Sequence, residues 1–153
     1  MILTGIIMGL AGTLAMDIWA LILERFGQPR PNWAMPGRWL GHVFQGRVFH
    51  DSIGEAEPVA NERALGWAFH YGVGVIYGVV FLLIMGAGWL ANPTFLPLWI
   101  FSILTIAAGW FLLQPGMGLG WAASKTPDPW KARKMGLAAH TVFAFGMFLG
   151  VLV

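Results

Sequence analysis

The longest uncharged stretch of the chain runs from Ala64 to Ser124, 61 residues without an Asp, Glu, Lys or Arg. A helix that crosses a lipid bilayer needs about 20 mostly apolar residues, so this stretch is long enough to cross twice. Glycine and proline cluster near its middle, at 86–97, and both residues favour a turn over a continuing helix. The stretch therefore predicts two membrane spans, at about 64–86 and 97–114.

The composition of the whole chain points the same way. Only 10% of the 153 residues are charged, 58% are hydrophobic, and the mean hydropathy is +0.69, whereas a soluble domain carries about 25% charged residues. This composition excludes a disordered segment, a nucleic-acid-binding protein and almost any soluble enzyme. A net charge of +2 is too small for a nucleic-acid-binding surface. The chain has no cysteine, which excludes disulfides, cysteine-based metal sites and thiol catalysis.

Two further apolar runs, at 2–23 and 136–153, raise the predicted number of spans to four. The runs are long and do not alternate, which favours helices over a closed barrel. We therefore expect an all-α polytopic membrane protein, a four-transmembrane-helix bundle that forms a single membrane domain over 1–153. No basic stretch precedes the first run, so we expect it to be a retained span and not a cleaved signal peptide.

The basic residues predict how the chain is oriented. All nine Lys and Arg residues fall in two of the predicted loops, 24–63 and 115–135. With four spans these two loops lie on the same side of the membrane. The positive-inside rule then predicts that both loops are cytoplasmic and that both termini lie outside the cytoplasm.

The first of these loops is predicted to contain an amphipathic or re-entrant helix over 36–49. Its apolar residues recur at helical spacing, and Arg38, His42 and Gln45 occupy another face. Such a helix lies in the membrane interface or folds back into the membrane. One interpretation is an interfacial helix whose polar side chains reach water. The other is a loop that covers an intramembrane site, where Arg38 and His42 meet a lipid headgroup or a solute.

Pairs of glycines four residues apart occur in three of the predicted spans. They are Gly5 and Gly9, Gly74 and Gly78, and Gly146 and Gly150. Small residues at this spacing let helix backbones approach closely in a membrane, so we expect helix-packing faces. The alternative is that they leave room for a ligand or cofactor, and the same pattern leaves a homo-oligomer open.

The most informative polar residues lie inside the predicted spans or at their ends: Asp17, His70, Tyr71, Gln114 and His140. Polar groups in a bilayer are expensive and need a reason. Asp17, His70 and His140 each lie six or seven residues from a charged residue of a cytoplasmic loop, or roughly 9–11 Å along a helix. We therefore expect these side chains to meet at one depth in the inner leaflet.

Three interpretations of this polar cluster are open. It is a hydrogen-bonded network that sets helix register, a site that binds or translocates a small solute or cation, or a redox site. In the redox interpretation, His70 and His140 hold a haem, or a metal ion together with Asp17. Our working prediction is the second, with Asp17, His70, Gln114 and His140 forming the pocket and Tyr71, Arg38 and His42 as further ligand-binding candidates. A structural or partner-binding membrane protein is a further alternative.

No catalytic motif supports an enzyme. The chain contains no nucleophile elbow, P-loop, HExxH or dinucleotide-binding fingerprint. The sequence therefore predicts no catalytic residue and favours a role without catalysis. The expected partners are the lipid bilayer and a small solute or cation, with no nucleic acid.

Several short strings together resemble one known family. They are Met16-Asp17 with Trp19, Gly37 to His42, Leu65 to Trp67 with His70-Tyr71, Gln114 to Gly118, Ala122 to Pro127, and His140 with Val142-Phe143. In these strings the chain is similar, over nearly its whole length, to the bacterial membrane proteins grouped as domain-of-unknown-function family 2938. The resemblance implies a small multi-pass bacterial membrane protein, and we expect it in the inner membrane. It implies no activity, substrate or catalytic residue.

Overall fold

The computed structural model describes residues 1–152, and over this range it contains helices and no strands. The α-helices are α1 (Ile2–Arg25), α2 (Ala34–Val43), α3 (Glu62–Ala91), α4 (Phe95–Ala108), α5 (Gln114–Gly116) and α6 (Pro129–Val151). A π-helical turn (Gly109–Leu113) joins α4 to α5, and a 3-10 turn (Trp121–Ala123) follows α5. The predicted all-α class is confirmed.

Four helices are long and apolar enough to cross a membrane: Ile2–Arg25, Glu62–Ala91, Phe95–Gly116 and Pro129–Val151. The third of these runs through α4, the π-helical turn and α5 without a break. Many large apolar side chains on these helices are exposed, among them Ile84 and Leu104. A lipid-facing surface requires such exposure, whereas a soluble monomer rarely tolerates a contiguous patch of it. The chain is therefore an integral membrane protein with four candidate spans.

The ends of the helices follow local signals. Helix α6 begins at Pro129, seven residues before the predicted start at 136, because Asp128 caps it. The Asp128 Oδ1 accepts a hydrogen bond from the backbone N–H of Lys131 at 2.9 Å, and proline is well suited to the first helical position. Helix α3 bends at Gly86, whose φ of 74° and ψ of −179° lie outside the helical region. This is where the sequence predicts the break.

Helix α2 differs from its prediction in length and in the face that it buries. It ends at Val43, six residues before the predicted end at 49, and the chain then turns at Gly46, where φ is +84°. Arg38 is 8% exposed and His42 is 6% exposed, whereas Phe44 is 75% exposed. The interpretation in which Arg38 and His42 reach water is therefore wrong, because the polar face of this helix is turned inward.

The chain divides into two compact units. Unit 1 comprises 1–30, 71–105 and 137–152, and unit 2 comprises 31–70 and 106–136. Helices α3, α4 and α6 contribute residues to both units.

Unit 1 is held together by glycine contacts. A Cβ atom on Gly9 would collide with the carbonyl oxygen of Gly74, and one on Gly78 would collide with that of Gly5. These contacts place the backbones of α1 and α3 against each other. Gly146 packs in the same way against α1, where a Cβ would lie 2.6 Å from the Ala11 carbonyl oxygen. The glycine pairs are therefore helix-packing faces, as predicted.

Apolar side chains fill the rest of unit 1. Its core contains Met8 from α1, Phe81 and Leu82 from α3, Leu98 from α4 and Met147 from α6. The Phe81 ring lies edge-on to Trp89, with the ring centroids 4.8 Å apart. All four spanning helices therefore contribute to one core.

Unit 2 is built around Trp39 of α2, which packs in one apolar cluster with Ile53 and Met117. The indole N–H of Trp39 donates to the Val48 carbonyl at 2.8 Å. Two further backbone bonds, from His50 to the Gly116 carbonyl and from Ile53 to the Met117 carbonyl, attach the loop after α2 to the end of α5. The first loop is therefore an ordered layer in this unit.

Candidate functional site

Two of the predicted site residues meet in unit 1. The hydroxyl of Tyr71 on α3 donates a hydrogen bond to Asp17 Oδ2 on α1 at 2.7 Å. Both side chains are half-buried. A hydrogen bond to an ionised carboxylate is about twice as strong as one between neutral groups. Such a bond offsets part of the cost of placing a carboxyl group on a spanning helix.

His140 lies in unit 1 in a different hydrogen-bonding environment. Its Nδ1 lies 2.8 Å from the Ser102 carbonyl oxygen and 3.2 Å from Thr105 Oγ1. The Ser102 hydroxyl in turn donates to the His140 carbonyl at 2.7 Å, so α4 and α6 are tied together in both directions. A carbonyl only accepts, so Nδ1 carries the proton and Nε2 is the basic nitrogen of the neutral ring.

Ser102 and Thr105 were not among the predicted site residues. Ser102 is fully buried, and the Thr105 hydroxyl donates to the Ser102 carbonyl at 2.7 Å. The available signal was a pair of hydroxyl side chains three residues apart within an otherwise apolar span, since that spacing puts both on one helix face. Such a face is typical of an interhelical hydrogen-bonding surface in a membrane.

Helix α3 carries a second tyrosine, Tyr77, which contacts α4. The Tyr77 hydroxyl lies 3.4 Å from the Thr105 carbonyl oxygen. Tyr71 and Tyr77 are six residues apart, which corresponds to about 9 Å along the axis. Tyr71 therefore binds Asp17 at one level of α3, and Tyr77 contacts Thr105 at another.

His70 lies in unit 2 within a group of aromatic rings. It stacks on Trp33, with ring centroids 3.9 Å apart and an angle of 24° between the rings. Trp67 lies 6.0 Å from His70 and 5.7 Å from Trp33. Trp33 was missing from the predicted site, and its position before α2 gives no spacing signal toward His70.

Gln114 begins α5 in unit 2. Its Oε1 is buried and accepts no hydrogen bond within residues 1–152. A buried acceptor without a donor costs about 1–3 kcal/mol. Gln114 therefore offers an acceptor at the end of the third span, where the sequence predicts a polar lining.

Arg38 is a buried side chain that contacts the loop between α2 and α3. Its Nε and Nη2 donate to the two carboxylate oxygens of Glu62, each at 2.8 Å. Its Nη1 lies 3.0–3.2 Å from three backbone carbonyls, those of Ile53, Gly54 and Ala56. The hydrogen bond with Glu62 raises the pKa of the Arg38 guanidinium, against the opposing effect of burial. The predicted ligand-binding candidate Arg38 thus has an extensive set of internal partners.

His42 forms a close pair with His50, a residue that was not predicted to belong to the site. His42 Nδ1 and His50 Nε2 are 3.0 Å apart, and each residue is 6% exposed. His42 Nε2 contacts the Glu57 carbonyl at 2.9 Å, and His50 Nδ1 contacts the Gly116 carbonyl at 3.0 Å. The turn at Gly46 brings the two histidines together, whereas an uninterrupted helix would hold them about 12 Å apart along its axis.

No group of three or more His, Asp or Glu side chains within residues 1–152 is arranged to hold a metal ion. The predicted haem or metal ligands are placed as described above: Asp17 beside Tyr71, His140 beside Ser102, and His70 on Trp33.

Comparison with known proteins identifies the family. No curated protein matches the chain, and no solved structure does. Residues 6–153 match a family described as "Protein of unknown function (DUF2938)", which covers nearly the whole chain. The match therefore includes every polar group described above, from Asp17 to His140. This four-span membrane protein belongs to the DUF2938 family of proteins of unknown function.

Proposed function

We propose that this protein is a bacterial inner-membrane protein that binds or translocates a small cation or cationic solute, with Asp17 as the charged group of the site. The observation that carries the proposal is the 2.7 Å hydrogen bond from the Tyr71 hydroxyl to the Asp17 carboxylate within a spanning helix pair. Ionisable groups inside spanning segments commonly mark ion or substrate pathways. The site lies toward the cytoplasmic side in this proposal, with both termini outside.

The chemistry of the Asp17–Tyr71 pair supports a cation over an anion. A phenol hydroxyl donates a hydrogen bond without bringing a positive charge of its own, so this bond orients the carboxylate. An oriented carboxylate at a helix interface attracts a cation and repels an anion. Tyr71 is therefore the positioning residue of the site and Asp17 the binding residue.

Transport by the purified protein in proteoliposomes tests this proposal. The probes are H⁺, Na⁺, K⁺ and Mg²⁺, each followed with an internal fluorescent indicator. We expect at least one probe to cross faster than in protein-free vesicles, with the rate lost in Asp17→Asn. Tyr71→Phe should reduce the rate about fivefold, since one hydrogen bond is worth about 1 kcal/mol. Glu55→Gln is the matched control, because Glu55 is an exposed loop carboxylate. Equal flux through the wild type and Asp17→Asn would contradict the proposal.

The redox alternative is distinguished by a different measurement. An absorption spectrum and metal analysis of the purified protein test it, because a haem held by His70 and His140 would give a Soret band. Loss of that band in His70→Ala and His140→Ala would replace the cation-binding proposal with a redox one. The structural or partner-binding alternative would be favoured if Asp17→Asn had no effect on any phenotype that Gly74→Leu abolishes.

A further inference from the structure

The His42–His50 pair of unit 2 has a hydrogen-bonding pattern that neutral rings do not satisfy. At one end of the pair, His42 Nε2 faces the Glu57 carbonyl at 2.9 Å. At the other end, His50 Nδ1 faces the Gly116 carbonyl at 3.0 Å. A carbonyl oxygen only accepts a hydrogen bond, so each of these outer nitrogens must carry a proton.

A neutral imidazole carries only one proton, which the outer nitrogen already holds. The inner nitrogens, His42 Nδ1 and His50 Nε2, would then face each other with two lone pairs at 3.0 Å. That distance is typical of a hydrogen bond, and two lone pairs at this separation repel. A third proton between the rings turns the contact into an N–H···N hydrogen bond.

We propose that the His42–His50 pair is a buried binding site for one proton, which closes a chain of three hydrogen bonds from Glu57 to Gly116. The pair then carries one positive charge shared by the two rings. The carbonyls at the outer ends stabilise that charge, because hydrogen bonds donated by a cation are the stronger ones. The site is separate from Asp17 and does not depend on the function proposed for it.

The charged groups around the pair are compatible with one added positive charge. Arg38 lies one helical turn before His42 on α2, and its charge is paired with Glu62 of α3 at 2.8 Å. Asp51 follows His50 directly in the sequence. Helix α5 places no titratable group near the pair, because it consists of Gln114, Pro115 and Gly116. The other ionisable residues of this loop are Arg47, Glu55 and Glu57, all with exposed positions.

The proton joins three parts of unit 2. His42 belongs to α2, Glu57 and His50 to the loop that follows it, and Gly116 to α5. When the proton leaves, the central contact becomes repulsive while the two outer bonds persist. The folded chain thus binds a proton in a hydrogen bond that the unfolded chain lacks. Stability from this source is present at low pH and lost as pH rises through the range in which the pair deprotonates.

Thermal unfolding of the detergent-purified chain tests the proposal. The nine tryptophans supply the fluorescence signal. We expect the wild-type melting temperature to be higher at pH 6 than at pH 8.5 by about 3 °C or more, since about 1 kcal/mol shifts the melting temperature of a chain of this size by roughly 2–4 °C. His50→Gln and His42→Asn should both reduce this pH dependence, because a neutral amide N–H can donate to the remaining imidazole without an added proton. Asp51→Asn is the matched control and should keep it.

Nuclear magnetic resonance observes the proton directly and needs no variant. In ¹⁵N-histidine-labelled protein at pH 6, one downfield proton should couple to a nitrogen of each of two rings. A melting temperature in the wild type that does not change with pH would overturn the proposal, and so would an unchanged pH dependence in both histidine variants. Stabilisation by Zn²⁺ at pH 8.5, lost in both variants, would also overturn it, since the lone pairs would then hold a metal ion.

Discussion

Arg38 shows how one side chain can organise a long loop. Its guanidinium forms a bidentate pair with the Glu62 carboxylate and also contacts three backbone carbonyls of the loop. Only the planar guanidinium of arginine presents donors in several fixed directions, whereas lysine offers one point charge. The loop between α2 and α3 therefore depends on the shape of this side chain as well as on its charge.

We predict that Arg38→Lys destabilises the protein by about 2 kcal/mol and that Arg38→Gln costs about 3–5 kcal/mol, because it leaves the Glu62 carboxylate without its cation. The free energy of unfolding in mild detergent, measured with a denaturant, checks both values. Arg47→Lys is the control, since Arg47 is exposed. Equal stability of the wild type and Arg38→Gln would show that the ion pair does not organise the loop.

The sequence identified polar side chains better than it identified their hydrogen-bond partners. Asp17 and Tyr71 stood out because an apolar span makes any polar residue conspicuous, and the structure joins them. The partners of Arg38 are backbone carbonyls, which every residue has, so no residue type reveals them. His50 was missed because its contact with His42 depends on where α2 ends.

The contact between α1 and α3 places two helix backbones against each other in unit 1. Gly78 lies directly against the Gly5 carbonyl, while Gly72, six residues earlier on the same helix, has open space where a Cβ would lie. The two glycines therefore separate the effect of packing from the effect of helix propensity.

We predict that Gly78→Ala destabilises the protein by about 1–3 kcal/mol through overpacking, whereas Gly72→Ala is neutral or slightly stabilising because alanine favours helix. Unfolding in mixed detergent micelles measures both. If the two variants behaved alike, the close contact between α1 and α3 would be in doubt.

The bend in α3 depends on a different glycine, Gly86. Gly86 has a φ of 74° and a ψ of −179°, a region that is essentially restricted to glycine. Nothing lies within 4 Å of the position of its Cβ, and the same holds for Gly88. A substitution at Gly86 thus affects the backbone conformation and not the packing.

We predict that Gly86→Ala destabilises the protein by about 1–3 kcal/mol and that Gly88→Ala does not, because only Gly86 has a positive φ. Melting temperatures of the two variants in the same detergent decide this. A stable Gly86→Ala protein would mean that the bend is not required.

The spans could be predicted from hydropathy, but their ends could not. A long apolar run without alternation satisfies its backbone hydrogen bonds in lipid as a helix and not as a barrel strand, so four helices were expected and found. The start of α6 was missed because its first turns carry Lys131, Arg133 and Lys134. These charges lower the hydropathy of the segment, although it is helical. The end of α2 depends on the turn at Gly46, which the continuing apolar spacing concealed.

The orientation of the chain in the membrane is a prediction that cysteine labelling tests. The chain contains no cysteine, so single cysteines can be introduced into a clean background. In intact cells, a membrane-impermeant maleimide should label Asn92→Cys, in the predicted outer loop. Glu55→Cys should react only after the membrane is permeabilised, because the positive-inside rule places its loop in the cytoplasm. Both positions are exposed, and the reverse pattern would invert the proposed topology.

The proposed function predicts that a small cation stabilises the folded chain through Asp17. A ligand at 100 times its dissociation constant stabilises a protein by about 2.7 kcal/mol, so melting temperature reports binding whether or not the cation is also transported. Chloride salts of Na⁺, K⁺ and Mg²⁺ are compared with N-methylglucamine chloride at equal ionic strength.

The most direct measurement is therefore the cation-dependent melting temperature of the wild type, Asp17→Asn and Glu55→Gln. We expect at least one cation to raise the melting temperature of the wild type and of Glu55→Gln by several degrees, and to leave that of Asp17→Asn unchanged. An equal rise in Asp17→Asn, or no rise in the wild type with any of the three cations, would contradict cation binding at Asp17.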